Sequence, residues 1–266
     1  MSSQRTIVIT GSASGMGAAT VQRLRRGGAR VIGIDLRDAE VIADLSSSDG
    51  REVAMSAVRE IAEGGIHGIV TFAGIAGLTG LPGSDLVSTN YFGTVRILEG
   101  LRPLCERGAP AAAVVVSSNS TTIQPGIPAE LIQSCLADDE VAARALGDTL
   151  GPLVAYPATK TAVAWWARRH ATKPSWAGSG INLNVVAPGV VETPMLQACR
   201  DDSFLGEHID AVPVPVGGPA SPDQLAAVVE FLLSPEARFL CGSVLFADGG
   251  TDALLRPDDV PVPWVL

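Results

Sequence analysis

Short β-branched runs alternate with amphipathic stretches along this chain. Thr6-Ile7-Val8-Ile9-Thr10 is an apolar run that stops at Gly11, the pattern of a buried strand. From Gly15 to Arg26, the residues Ala18, Val21 and Leu24 share one face, so the spacing predicts a helix ended by Gly27-Gly28. Arg30 to Ile34 predicts the next strand, and Val41-Ile42 opens a very short third one. A helical stretch over 50–63 leads into a strand over 68–72. The beat then repeats: helix 85–105 before strand 112–117, helix 157–172 before strand 181–186, and helix 223–233 before strand 243–246. About seven strands alternating with helices predict an α/β fold, a doubly wound parallel sheet covered on both faces. No linker rich in Pro, Gly or Ser separates a second domain, so 1–266 reads as one domain.

Three segments break the beat. Residues 119–155 separate the fifth strand from the next regular helix and carry their own helical pattern, Glu140 to Leu150, with Asp138 and Asp139 suited to cap it. Residues 190–217 hold several Pro and Gly and no clear period; a loop that long in a compact domain is usually functional, often a lid. The tail, 256–266, contains Pro257, Pro261 and Pro263 and reads as extended. Its apolar tip, Trp264-Val265-Leu266, reads as packed on a surface or partner.

Composition narrows the function classes. With 47% hydrophobic and 18% charged residues the chain has material for a large core. A net charge of −9 disfavours nucleic-acid binding, and Arg23, Arg25 and Arg26 read as a solvated helix face. Cys105, Cys135, Cys199 and Cys241 form no CxxC pair and read as buried free thiols of a reducing cytosol. His67, His170 and His208 are scattered, so no metal site is expected. No apolar run reaches the ~20 residues of a membrane span, and residues 1–10 lack a signal-peptide pattern, so the expected location is cytoplasmic.

The chemistry begins at Thr10-Gly11-Ser12-Ala13-Ser14-Gly15-Met16-Gly17, between the first strand and first helix. Glycines there permit a tight turn and let backbone approach a pyrophosphate at the positive end of the helix dipole. Such turns also serve packing alone. Asp35, ending the second strand about twenty residues on, supports a dinucleotide and a Rossmann-type fold. A carboxylate there accepts from ribose hydroxyls and repels a 2′-phosphate, which favours NAD; Arg37 is the opposing signal.

Tyr156 and Lys160 stand four apart on one helix face. A phenol with a pKa of about 10 is a poor proton carrier at neutral pH, and a neighbouring ammonium would lower that value. By itself YxxxK is common by chance. With the other motifs, the chain resembles the short-chain dehydrogenase/reductase family from about Ile7 to Gly250. The residues that carry this are the TGxxxGxG turn at 10–17, Asn90-x-x-Gly93, Ser117-Ser118, YxxxK at 156–160, and Pro188-Gly189 followed by Thr193.

The resemblance implies reversible alcohol–carbonyl conversion by hydride transfer with a nicotinamide. It assigns Tyr156 as general acid/base, with Lys160 lowering its pKa and holding the nicotinamide ribose. Asn90 then positions a relay water. The residues leave Ser117 and Ser118 open as substrate-binding serine; the family places it second, at Ser118. For the cofactor it implies Gly11, Ser14, Gly15, Met16, Gly17 and Asp35, with Asp44 and Leu45 flanking adenine. Ala73 and Gly74 line the ribose and phosphate path, while Pro188, Gly189, Val191 and Thr193 approach the carboxamide end. Thr71-Phe72-Ala73-Gly74 departs from the family's Asn-Asn-Ala-Gly, with Phe72 expected to replace hydrogen bonds by packing.

The long 118-to-156 gap, residues 35–45 and the ending Asp248-Gly249-Gly250-Thr251-Asp252-Ala253 resemble the bacterial 3α-hydroxysteroid dehydrogenase/carbonyl reductase branch. That branch acts with NAD(H) on steroid alcohols and varied aldehydes and ketones. Its inserted helices block one assembly surface, which implies a homodimer rather than a tetramer. The apolar lid residues, among them Met195, Leu196 and Phe204, point to an apolar alcohol or ketone substrate, or equally to packing on the domain. Alternatives are an NAD(H)-binding regulator that kept the fold, and a dehydrogenase for a non-steroid aromatic alcohol. A longer epimerase-type enzyme would need a larger C-terminal substrate region. A scaffold role rests on the tail alone.

Overall fold

Alternate side chains of the first strand point to opposite sides, and that alternation organises two apolar layers. The structure, a computed structural model, describes residues 4–260 and 262. Its strands are β1 (Thr6–Thr10), β2 (Arg30–Asp35), β3 (Val41–Ile42), β4 (Gly68–Thr71), β5 (Ala111–Val116), β6 (Ile181–Pro188) and β7 (Val244–Ala247). They form one parallel sheet in the order β3-β2-β1-β4-β5-β6-β7. The helices are α1 (Gly15–Arg26), α2 (Ser48–Ile61), α3 (Gly83–Leu86), α4 (Gly93–Arg107), α5 (Ser120–Ile123) and α6 (Ala129–Leu136). Then come α7 (Glu140–Leu150), α8 (Pro152–Ala171), α9 (Pro194–Asp201), α10 (Gly206–Ile209), α11 (Pro222–Leu233) and α12 (Thr251–Leu255).

Ile7 and Ile9 pack with Val21 and Leu24 of α1 and Val229 of α11 on one face. Val8, between them, points into the larger layer with Val58 of α2, Leu98 of α4 and Val163 of α8. Burial of both faces explains why the strands read as continuous apolar runs. Parallel pairing also brings every strand's carboxyl end to one edge. The chain reverses direction of travel across the sheet between β1 and β4, and such a switch point opens a crevice. Thr10 pairs there with Thr71.

Several elements differ from the sequence pattern. The helix expected from 85 begins at Gly83 and runs through a π-turn, Val87–Phe92, before α4. The helix expected from 157 starts at Pro152, after Gly151 at φ 84°, and so holds Pro157 in its interior. Pro157 cannot donate to the carbonyl of Leu153; the Gln124 side chain donates to it instead, at 3.1 Å. The segment 119–155 holds α5 and α6 besides the expected α7. Asp139 caps α7 by accepting from Ala142 N, whereas Asp138 sits at φ 66° and pairs with Arg96 at 2.8 Å.

The aperiodic 190–217 segment contains α9 and α10. Cys105, Cys135 and Cys199 are buried, but Cys241, just before β7, is exposed. On α1, Arg23 and Arg25 pair with Glu230 and Glu40 at 2.6 and 2.5 Å, as a solvated charged face does. Of the tail, 256–260 leave α12 in a turn; the Trp264-Val265-Leu266 tip lies outside the described residues. No described helix is long and apolar enough to cross a membrane.

The insertion is bolted down by charge. Arg51 of α2, 5% exposed, holds Glu140 of α7 through two bonds of 3.1 and 2.7 Å. The fully buried Ser88 hydroxyl donates to the same carboxylate at 3.0 Å and accepts from Arg144. Glu140→Ala leaves a buried guanidinium without its partner. It is expected to destabilise the fold by about 3 kcal/mol, measured by urea denaturation.

Candidate active site

β1 ends at Thr10, and its chain turns at Gly11 (φ 67°) and Gly15 (φ 52°) into α1. Bare backbone is required there. A Cβ on Gly11 would meet Ala73 N at 2.7 Å, and one on Gly17 would meet Gly11 O at 1.9 Å. Ser14 at the head of α1 makes no side-chain cap, so the first N–H groups of the helix stay free for an anion. Asp35 braces the turn by accepting from Ala13 N at 2.9 Å and from Leu36 N at 2.7 Å.

This turn forms one wall of a cleft of about 440 Å³. Gly11, Ser14, Gly15, Met16, Gly17, Asp35, Asp44, Leu45, Ala73, Gly74 and Thr193 all line it. The lining carries carboxylates at Asp35, Asp44 and Asp85 and no Lys or Arg; Arg37 is exposed and outside it. Among the candidate residues, Val191 is turned away. Its side chain is buried in the apolar layer beside α11 and its backbone bridges to Ala220. Pro188 and Gly189 close β6, with Gly189 N donating to Ala247 O at 3.2 Å. Met195, one of the apolar lid residues, lines the cleft as well, as do Ile75 and Thr89, neither of which carries a motif that would have marked it.

Deeper in, four elements converge. Lys160 on α8 is 6% exposed and its ammonium donates to Val116 O, at the end of β5, at 3.2 Å. It lies 5.9 Å from the centre of the Tyr156 ring. Asn90, fully buried in the π-turn, grips the strand exit at β4: its Oδ1 accepts from Ile75 N at 2.8 Å and its Nδ2 donates to Ile75 O at 3.0 Å. Gly74 keeps a gap between them. A Cβ there would lie 2.9 Å from Asn90 Oδ1 and 3.4 Å from Lys160 Nζ.

The two serines separate in the structure. Ser117 donates to Lys160 O at 2.8 Å and so fixes α8, while Ser118 hydrogen-bonds the Tyr156 side chain. Ser118 Oγ also accepts from Ser120 N at 3.1 Å. Thr193 caps α9 by accepting from Leu196 N at 3.2 Å, and its methyl covers Gly15.

The chain is 39% identical to a 3-alpha-hydroxysteroid dehydrogenase/carbonyl reductase of Comamonas testosteroni, over 94% of this chain and 98% of that one. The chain belongs to the short-chain dehydrogenase/reductase family. A family model described as enoyl-(acyl carrier protein) reductase matches residues 141–252. A coniferyl-alcohol dehydrogenase of a Pseudomonas species is 31% identical over 92% of this chain and 96% of its own length. The crystal structure of a 3-alpha-hydroxysteroid dehydrogenase from Pseudomonas sp. B-0831, complexed with NADH, superposes with a TM-score of 0.91. It is 44% identical and covers 95% of this chain and 99% of that one.

The family's Asn-Asn-Ala-Gly bracing is replaced here in part. Ala73 N donates to Thr10 Oγ1 at 3.1 Å, and Phe72 packs against the layer beside α1 and α11. The Thr71 hydroxyl, at the position of the first Asn, is buried without a partner.

Burial governs the electrostatics. It pushes the Tyr156 phenol up, against a lowering hydrogen bond from Ser118, and brings Lys160 down from 10.5 to about 8. Among the protein's own groups, then, burial outweighs the ammonium's expected pull on the phenol. For Lys160 the folded value lies below the unfolded one, so between about pH 8 and 10.5 the unfolded chain binds more protons. The cost of burying the ammonium is full below that window and fades as pH rises through it. Stability relative to Lys160→Met is therefore expected to improve from pH 8 upward, read by urea denaturation across the window.

Proposed function

We propose that this family member is an NAD(H)-dependent dehydrogenase interconverting a secondary alcohol and a ketone on an apolar substrate, the 3-hydroxyl/3-oxo group of a steroid foremost. The observation that carries the reading is the meeting of Tyr156, Ser118 and Lys160 beneath a glycine-walled cleft. The glycine cradle and the uncapped head of α1 fit a pyrophosphate. Asp35 and Asp44, with no cation in the lining, fit adenosine ribose hydroxyls and oppose a 2′-phosphate. NAD, when bound, supplies the hydride acceptor, and NADH the donor.

Tyr156 then gives its proton to the carbonyl oxygen in reduction and takes one from the alcohol in oxidation. Ser118 hydrogen-bonds that oxygen and holds it against the phenol. Lys160 stabilises the phenolate form, and Asn90, beside the Gly74 gap, keeps a water path to it. The steroid reading draws on the names of the two hydroxysteroid dehydrogenase relatives and on the apolar lid. An aromatic alcohol is the second reading, favoured by the coniferyl-alcohol dehydrogenase relative. The packing of α6 on α8, and of α7 on α3 and the π-turn, supports a dimer over a tetramer.

Turnover of androsterone, an aromatic alcohol and small ketones, followed by nicotinamide absorbance, tests the reading. The steroid is expected to give the highest kcat/KM; no turnover across the panel would refute the enzyme assignment. Tyr156→Phe is expected to lower kcat by about a thousand-fold. Because burial raises the phenol, it stays protonated at neutral pH. Ketone reduction should hold there, while alcohol oxidation climbs into the alkaline range. Asp35→Ala should raise the KM for NAD+ by about ten-fold or more, with NADP+ much less affected.

A further inference from the structure

The 190–217 segment is a stapled body. Arg200 on α9 holds Glu192 through bonds of 2.9 and 3.0 Å and Asp210 at 2.9 Å. Thr193, Pro194 and Met195, at its root, form one wall of the cleft. The facing wall continues into the loop 75–81. Asn90 fixes that loop at Ile75, and Gly77 packs so tightly that a Cβ would lie 2.5 Å from Pro152 O and 3.0 Å from Tyr156 Cβ.

A carboxylate joins the two walls, beside a hydroxyl contact of 3.2 Å between Thr79 Oγ1 and Ser203 Oγ. Asp202 Oδ2, just past α9, accepts from the Thr79 N–H at 2.7 Å and from the Thr79 hydroxyl at 2.6 Å. Its other oxygen accepts from Phe204 N at 3.0 Å and Leu205 N at 2.9 Å, in the turn that precedes α10. These bonds hold the Asp202 carboxyl at about 2, so it is a charged acceptor throughout the working range. Leu196 and Cys199 are buried under the segment, and the Cys199 thiol is near enough to act electrostatically on Tyr156.

We infer that Thr79 and Asp202 are positioning residues that latch the lid across the cleft, hold α9 over Tyr156, and thereby set the fit of the substrate. This rests on reading 190–217 as the substrate lid of the proposed dehydrogenase. Neither residue touches the reacting atoms; each acts through the placement of α9. Hydrogen bonds to a charged acceptor are the stronger kind, which suits a tie between two exposed segments.

Cys199 reports the lid's position without any turnover. In a Cys241→Ser background the exposed thiol is gone, and Cys105 and Cys135 are buried with thiols pushed up to about 12. Labelling by Ellman's reagent then reads Cys199. Thr79→Val is expected to speed it several-fold, Asp202→Ala about ten-fold, and Thr79→Ser not at all. Thr79 is exposed, so its variants leave the core untouched.

The KM for androsterone should rise several-fold in Thr79→Val while that for NAD+ holds. Labelling of Thr79→Val at the unmodified rate overturns the latch. So does acceleration in Asp202→Ala alone, which would make Asp202 only a brace of the turn before α10. An unchanged androsterone KM in a steroid-active protein overturns it equally. If the unmodified protein does not turn over androsterone, the steroid reading fails while labelling still decides the latch.

Discussion

The grip of Asn90 on Ile75 is the constraint on which the reacting edge depends. A parallel sheet delivers every strand end to the same edge but leaves the exits free to splay. One amide that bonds both the N–H and the C=O of Ile75 fixes the exit of β4. Ala73 and Gly74 then lie against the glycine turn, and the gap at Gly74 stays open beside Lys160. The π-turn makes the grip possible. An added residue in a helical turn re-aims the side chains around it, and such turns gather at functional sites because an ordinary helix has no reason to bear the cost.

That cost is met from outside. Behind Asn90 the buried Ser88 is held by Glu140 and Arg144 of the insertion, and Glu140 by Arg51 of α2. The segment that makes this chain longer than a simple alternation therefore braces the turn that shapes the site. On the opposite side Ile75 leads to Thr79 and so to the lid. Asn90, the insertion and the 190–217 segment are thus tied together by short polar contacts above the two apolar layers.

What the sequence made legible was local chemistry. The run Thr6–Thr10 ending in Gly11, the positive-φ glycines, Asp35 and the Tyr156–Lys160 spacing each carry their reason within a few residues. Asp139 likewise announced α7 by its cap. The failures were tertiary. Pro157 reads as a helix start because its own preference is for a first turn; only the distant Gln124 side chain lets it sit inside α8. The two-turn α6 has too short a period to read, and Val191 looks like a cleft residue until its burial beside α11 is seen. Thr79 and Asp202, 123 residues apart, carry no motif at all.

The titrating pair shows why spacing alone could not give the electrostatics. Four residues on a helix place an ammonium near a phenol, and proximity by itself would lower the phenol. Burial acts on both groups at once and in opposite senses, against the phenolate and against the ammonium. The ordinary order, phenol at 10.0 and amine at 10.5, is thereby inverted. Lys160 at about 8 still carries its charge at neutral pH, while Tyr156 still carries its proton. A protonated acid beside a cation is the state a carbonyl oxygen needs as it gathers negative charge. In the proposed reaction, alcohol oxidation needs the phenolate, which the same burial disfavours, so on that proposal burial itself favours the reductive direction at neutral pH.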